Sequence, residues 1–162
     1  MSDLQHSTMM SANGNCIFCK ITQKNAPADI QFENPEIIIF KDIKPAAEHH
    51  YLAIPKEHIM NVNSLNTPDH KGLLERLISE GKKVIQEHGG NVNDLILGFH
   101  LPPFNTVDHL HLHLISPASS MSFLHKIMFM ANSLWFATAE QIQRKLHKLI
   151  EQGEVRQINN KL

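Results

Sequence analysis

The chain has 162 residues, enough for one domain with a sizeable core, and its 15 basic and 16 acidic residues give a net charge of −1. This near balance argues against nucleic-acid binding and a basic membrane surface, and no apolar run approaches the roughly 18 residues that span a bilayer. Without a signal-peptide pattern, and with its two cysteines only three positions apart, the chain is expected in the cytoplasm and also in the nucleus.

The first third of the chain predicts a tail, a short helix and three strands. Residues 1–15 are polar and small, and they are predicted to be a disordered tail. Residues 16–21 form an amphipathic segment of one or two helical turns. Short apolar or alternating runs then predict strands over 30–33, 37–40 and 50–54.

A long helix follows these strands. Thr67 is predicted as its N-cap with Pro68 at the first helical position, and Gly89 and Gly90 end it. Its apolar residues keep helical spacing: Leu73, Leu74, Leu77, Ile78, Val84 and Ile85. The next apolar run predicts a strand over 95–99.

The most informative segment is 107–115, in which histidine alternates with leucine. A period of two is typical of a strand, so His109, His111 and His113 should leave one face. The other face should enter the core through Leu110, Leu112 and Leu114. Besides a merely solvated face, two chemistries fit: three imidazoles binding zinc with an open fourth position, or one neutral imidazole attacking phosphorus. The spacing alone leaves these alternatives open.

The C-terminal region is predicted to be helical. Residues 123–131 have a helical pattern, and Thr138 with Gln141 forms a capping box for a helix that ends near Gly153. The apolar stripe of this helix indicates core or a subunit interface: Ile142, Leu146, Leu149 and Ile150. We therefore predict an α+β domain, with a core over 16–117 and a C-terminal helical extension of the same domain over 118–162. An antiparallel sheet of about five strands would carry one long helix and the C-terminal helices.

Segment 109–115 fits the His-φ-His-φ-His-φ-φ motif of the histidine triad (HIT) family at every position, where φ is apolar. The resemblance covers roughly residues 16–117, and it implies the HIT fold and nucleotide binding. Segments 98–104 and 132–136 with the Cys-x-x-Cys start resemble the adenosine 5'-monophosphoramidase branch, and secondarily the aprataxin branch. Another branch of the family, the better-known one, has Asn at the position of Gly98, so this sequence departs from that branch.

The resemblance assigns a catalytic role to several side chains. His111 would be the nucleophile that forms a covalent AMP-histidine intermediate. His109 and His113, with Thr106, would hold the phosphate oxygens and supply a proton to the leaving group, and His50 would buttress the triad. Family transferases carry Gln in place of the third triad histidine, so His113 implies a hydrolase.

The resemblance also implies a nucleotide site. Asp42 would accept hydrogen bonds from the ribose hydroxyls, and Ile43, His109, Leu110 and His111 would complete the contacts. The expected substrates are purine nucleoside monophosphate derivatives, namely adenosine 5'-monophosphoramidates and acyl- or aminoacyl-adenylates, with release of AMP. The expected partner is a second copy of the chain, and no cofactor or metal is predicted for the reaction.

Some alternatives remain at this stage. An aprataxin-like deadenylase of adenylated nucleic-acid ends and a non-catalytic purine nucleotide-binding protein would use the same motif. Cys16 and Cys19 are either two small buried residues or, as in some family members, ligands of a structural zinc completed by His50 and His109. His100 is a candidate phosphate contact, and His58 is predicted to lie on the surface.

Overall fold

The computed structural model describes residues 14–159 and has an α+β architecture. The tail predicted over 1–15 lies outside these residues except for its last two positions. The strands are β1 (Ile30–Glu33), β2 (Ile37–Lys41), β3 (His49–Pro55), β4 (Ile96–His100), β5 (Leu112–Ser116) and β6 (Phe136–Thr138). The α-helices are α1 (Ile17–Thr22), α2 (Pro68–Glu87), α3 (Phe123–Met128) and α4 (Ala139–Asn159). The predicted fold class is confirmed, with six strands in the described chain rather than about five.

The strands form one antiparallel sheet in the order β1-β2-β3-β5-β4-β6. β5 therefore lies inside the sheet, between β3 and β4. In this register His113 pairs with Leu52 on one side and with Gly98 on the other. The third triad histidine is consequently held on both sides by backbone pairing.

Helix α2 begins as the sequence predicts and covers one face of the sheet. The Thr67 hydroxyl accepts a hydrogen bond from the His70 N–H at 3.2 Å, and Pro68 follows it as the first helical residue. The apolar stripe of α2 shares a buried cluster with the alternating leucines Leu110, Leu112 and Leu114. The prediction that these leucines face the core is confirmed.

The strand predicted over 107–115 is shorter than expected, because β5 begins only at Leu112. Its pairing with β3 ends at the Ala53–Leu112 pair. Beyond that point the Leu110 N–H donates to the Ile59 carbonyl at 2.6 Å, and the Pro55 carbonyl accepts from the His109 ring at 2.8 Å. The backbone before Leu112 therefore bonds outside the ladder, and His109 and His111 lie on irregular chain.

The C-terminal extension packs on its own domain. The predicted capping box is present: the Thr138 N–H donates to Gln141 Oε1 at 2.7 Å, and the Gln141 N–H donates to Thr138 Oγ1 at 3.3 Å. Helix α4 continues past the predicted end at Gly153. Its residues Ile142 and Leu146 are buried in the main core, whereas Leu149 is exposed.

The short strand β6 was not predicted, because three residues are too few to show a period. It pairs with β4 through Gly98, Phe99 and His100. A Cβ atom at Gly98 would lie 2.4 Å from the Phe136 ring and 2.6 Å from the Ala137 carbonyl oxygen. The missing side chain thus allows Phe136 to cross β4 closely. Among the described helices, none has the length and apolar character needed to cross a bilayer.

Candidate active site

The three triad imidazoles are buried, and each has its own partners. The exposed fractions are 0% for His109, 7% for His111 and 6% for His113. The rings of His111 and His113 lie 5.1 Å apart, in an edge-to-face arrangement. Because both ring nitrogens of His109 and His113, and Nδ1 of His111, have a polar neighbour, the chemistry available to each histidine can be read from these contacts.

His111 presents one nitrogen without a proton. Its Nδ1 lies 2.6 Å from the carbonyl oxygen of His109, and a carbonyl can only accept, so Nδ1 carries the proton. In the neutral ring Nε2 then holds the lone pair. Burial lowers the pKa of His111 below its ordinary value of 6.5. The middle triad residue is therefore neutral at pH 7, with Nε2 as its nucleophilic atom.

His113 lies between two further histidines. Its Nδ1 is 3.0 Å from Nε2 of His50, and its Nε2 is 3.2 Å from Nδ1 of His100. We call His50, His113 and His100 the histidine chain. Burial lowers the pKa of each of them, despite the neighbouring carboxylate of Asp42 at 3.4 Å from His50. His50 contacts the triad through His113, at the position that the sequence resemblance implied.

His109 faces the other way, toward the cysteines. Its Nε2 donates to the Pro55 carbonyl at 2.8 Å, which leaves the lone pair on Nδ1. That nitrogen lies 3.5 Å from Cys16 Sγ and 3.6 Å from Cys19 Sγ. Burial lowers the pKa of His109 to about 4. With both ring nitrogens occupied in this way, His109 supports His111 through its backbone carbonyl.

Four side chains at this end could hold a metal ion, and we call them the cysteine cluster: Cys16, Cys19, His58 and His109. Their ligand atoms all lie within 4.8 Å of one another, and Cys19 Sγ is 3.2 Å from His58 Nδ1. A zinc tetrahedron with bonds of about 2.0–2.3 Å has edges of about 3.3–3.8 Å, and the three contacts of the cluster at 3.2, 3.5 and 3.6 Å lie close to that range. Zinc bound here would fasten α1 to the end of β3.

The structure corrects the ligand set expected from the sequence resemblance. His50 is not near the cysteines, because its Nε2 lies 3.0 Å from His113 and its Nδ1 accepts from the Ala46 N–H at 3.0 Å. His58 occupies the fourth position instead, although it was predicted to be a surface residue. It lies just beyond β3, whose last residue Pro55 already contacts His109.

The remaining predicted residues lie in more open parts of the structure. Asp42 is half-buried, and its Oδ1 accepts from the Lys44 N–H at 2.8 Å. Ile43 is 93% exposed and Thr106 is exposed as well. A narrow cleft reaches His111 and His100 and is otherwise lined by Asn61, Val62, Phe99, Asn105, Val107, His109 and Leu110. The predicted nucleotide contact Leu110 is thus buried at the cleft wall.

A neutral imidazole between two hydrogen-bonded imidazoles, beside the central strand of an antiparallel sheet, is the site of a histidine triad protein. The family described as "Scavenger mRNA decapping enzyme C-term binding" matches residues 15–129. The chain therefore belongs to the histidine triad (HIT) family.

Similarity to named relatives extends over most of the chain. The chain is 40% identical over 139 residues to "Adenosine 5'-monophosphoramidase HINT3" of Xenopus tropicalis, and the match covers 85% of this chain and 88% of that protein. The same protein of Mus musculus is 39% identical over 139 residues, covering 84% of each. A HIT family hydrolase from Legionella pneumophila superposes with a TM-score of 0.60 at 39% identity, covering 63% of this chain and 92% of that one.

Proposed function

We propose that this protein hydrolyses the P–N bond of adenosine 5'-monophosphoramidates and releases AMP. The observation that carries the proposal is the hydrogen bond from His111 Nδ1–H to the His109 carbonyl, which leaves the lone pair of the neutral ring on Nε2. Its relatives at about 40% identity, named as adenosine 5'-monophosphoramidases, give the substrate class.

The reaction has two steps. In the first, the Nε2 lone pair of His111 attacks the α-phosphorus, a P–Nε2 bond forms, and the P–N bond to the amine breaks. The departing nitrogen takes up a proton from the solvent, because an amide anion is a very poor leaving group. In the second step, water attacks the phosphorus and releases a proton to the solvent, the P–Nε2 bond breaks, and AMP leaves with His111 restored.

The flanking residues would stabilise the phosphate and the nucleoside. The Nε2 atom of His113 lies 3.2 Å from Nδ1 of His100, which is half-buried and lines the cleft beside His111. The His113 N–H and the Thr106 hydroxyl would donate to the phosphate oxygens. Asp42 keeps acceptor lone pairs for the ribose hydroxyls beside its bond from Lys44, and Ile43 would pack against the nucleoside.

The reaction is proposed to need no metal at the triad. The three imidazoles do not converge on one point, because His109 points to sulfur, His111 to a carbonyl, and His113 to two other histidines. This arrangement differs from a three-histidine zinc site, in which all three rings bind one ion.

The test is turnover of an adenosine 5'-monophosphoramidate by the purified protein before and after exhaustive chelation, with metal content measured on the same sample. We expect AMP release to continue, also in the Cys16→Ser/Cys19→Ser variant. Activity that disappears in that variant under chelation and returns with zinc would contradict the proposal.

One relative gives a second candidate substrate. The chain is 43% identical over 106 residues to a protein of Arabidopsis thaliana named "Bifunctional adenosine 5'-phosphosulfate phosphorylase/adenylylsulfatase HINT4". Adenosine 5'-phosphosulfate would form the same His111 intermediate, but sulfate leaves without needing a proton. Measuring both substrates side by side distinguishes the two functions, since a sulfatase would release AMP from the phosphosulfate alone.

A further inference from the structure

A continuous series of hydrogen bonds runs through the histidine chain into the C-terminal extension. The Ala46 N–H bonds His50 Nδ1 at 3.0 Å, and His50 Nε2 bonds His113 Nδ1 at 3.0 Å. His113 Nε2 bonds His100 Nδ1 at 3.2 Å, and His100 Nε2 bonds the Met128 carbonyl oxygen at 3.2 Å. Each imidazole therefore uses both of its nitrogens.

The backbone bonds at the two ends of this series fix the protons of His50 and His100, and His100 in turn fixes that of His113. A backbone N–H can only donate, so His50 Nδ1 is unprotonated and the neutral ring carries its proton on Nε2. That proton can go to His113 Nδ1 at 3.0 Å or to Asp42 Oδ2 at 3.4 Å, so this end alone does not fix the tautomer of His113. From the other end, the Met128 carbonyl can only accept, so His100 carries its proton on Nε2 and accepts at Nδ1. His100 Nδ1 can then only accept from His113, which places the proton of His113 on Nε2.

We propose that His100 is a positioning residue for the reaction, which holds His113 as the Nε2–H tautomer with this N–H directed at His100, a residue of the cleft wall. The kinetic part of this inference rests on the proposed function, whereas the tautomer does not. His100 and His111 line the same cleft, so a phosphate oxygen arriving there replaces His100 as the acceptor of the His113 N–H. The donor is thus oriented before the substrate binds.

The C-terminal extension fixes the rings as well as their protons. The Phe129 ring, 5% exposed, lies 5.5 Å from His50, 5.2 Å from His100 and 5.2 Å from His113, measured between ring centroids. Phe136 lies 5.2 Å from His100 on another side. These contacts restrict rotation of the imidazoles and keep bulk water away from the bonds between them.

The experiment uses the full chain with ¹⁵N-labelled histidine and compares His100→Phe with His100→Asn, with exposed His147→Asn as control. Asn can still accept from His113, whereas Phe keeps a ring but cannot accept. Long-range ¹H–¹⁵N spectra at about pH 8, where ordinary histidines are neutral, report which nitrogen carries each proton.

In the wild type and in both Asn variants we expect His113 as the Nε2–H tautomer. In His100→Phe we expect a mixture of tautomers and a loss in kcat of about tenfold or more, with a smaller change in KM, while His100→Asn retains most of kcat. A wild-type Nδ1–H tautomer of His113, or an unmixed Nε2–H tautomer in His100→Phe, would overturn the proposal. The tautomers do not depend on turnover, so the spectra test the proposal even if the phosphoramidate is not a substrate. If His100→Phe does not fold, the tautomer of His113 in the wild type and in His100→Asn still tests the proposal.

Discussion

The two ends of the triad are alike in sequence and differ in chemistry. His109 lies among two sulfurs, an imidazole and a carbonyl in the cysteine cluster, whereas His113 lies among imidazoles in the histidine chain. Both flanking rings are committed to partners, and only the middle ring presents a lone pair to the cleft. Equal spacing in the sequence therefore does not imply equal roles, because the surroundings decide which nitrogen of each ring is available.

Removing the His111 ring should have the largest effect on turnover, because the residues at both ends of the triad position this ring or the substrate that it attacks. His111→Asn should lower phosphoramidate turnover by at least about 1,000-fold, since no other group at the site supplies the nucleophile. AMP binding should stay within about tenfold, or roughly 1.4 kcal/mol. The measurements are steady-state kinetics and AMP titration. Near-native turnover in this variant would show that His111 is not the nucleophile.

The cysteine cluster can be separated from the histidine chain by its metal content. After reconstitution with zinc, the wild type and His50→Ala should keep one equivalent, whereas His58→Ala and Cys16→Ser/Cys19→Ser should lose it. The loss should reduce the free energy of unfolding by about 2.7–4.1 kcal/mol, as for a ligand present at about 100–1,000 times its Kd. Elemental analysis and denaturant unfolding measure both quantities. Zinc retained without His58 but lost without His50 would restore the ligand set expected from the sequence.

The ribose contact is expected to be weaker than either of these. Asp42→Ala leaves the ribose hydroxyls without an acceptor, so kcat/KM should fall by a factor that corresponds to about 1–3 kcal/mol. A 2′,3′-dideoxy substrate should show the same loss with the wild type and little further loss with the variant. Fully additive losses in the four measurements would show that Asp42 does not touch the sugar.

Acid should destabilise the histidine chain in a predictable direction. Burial lowers the pKa of His50 and His113 in the folded state, so below pH 6.5 the unfolded chain binds protons that the folded chain does not. The free energy of unfolding should fall as the pH drops from 6.5, by up to about 1.4 kcal/mol per pH unit for each histidine. His50→Gln should flatten this slope, and His147→Asn should not. Unfolding curves between pH 7 and about pH 5 provide the test.

The homodimer expected from the sequence stays a prediction. The stripe on α4 is partly used inside the domain, through Ile142 and Leu146. Helix α3 instead exposes apolar side chains, with Phe123 at 77% and Leu124 at 73%. Light scattering is expected to show that the wild type is a dimer and that a Phe123→Ser/Leu124→Ser variant is a monomer. A monomeric wild type at high concentration would contradict the prediction, without affecting either end of the triad.

The features that the sequence predicted are those that depend on neighbours along the chain. Thr67 caps α2, and Thr138 pairs with Gln141, because a capping bond spans only three residues. The alternation of Leu110, Leu112 and Leu114 predicted their burial, because one face of the segment must meet the core. The role of His111 as the nucleophile, which the resemblance to the family implied, stays a prediction.

The features that the sequence did not predict depend on contacts between distant segments. His58 joins the cysteines only because β3 ends beside His109, and His100 joins His113 only because β4 pairs with β5. The pattern around His58 contains one usable signal. Cys16 and Cys19 need two more ligands to hold zinc, and a histidine three residues beyond a strand end can turn back toward it.

The glycine at position 98 makes the extension and the sheet dependent on each other. Because a Cβ atom there would lie 2.4 Å from the Phe136 ring, a side chain on this position and a ring on β6 exclude one another. Grafting the segment from Phe123 onward onto another triad domain would therefore fail wherever that domain carries a side chain at the matching site.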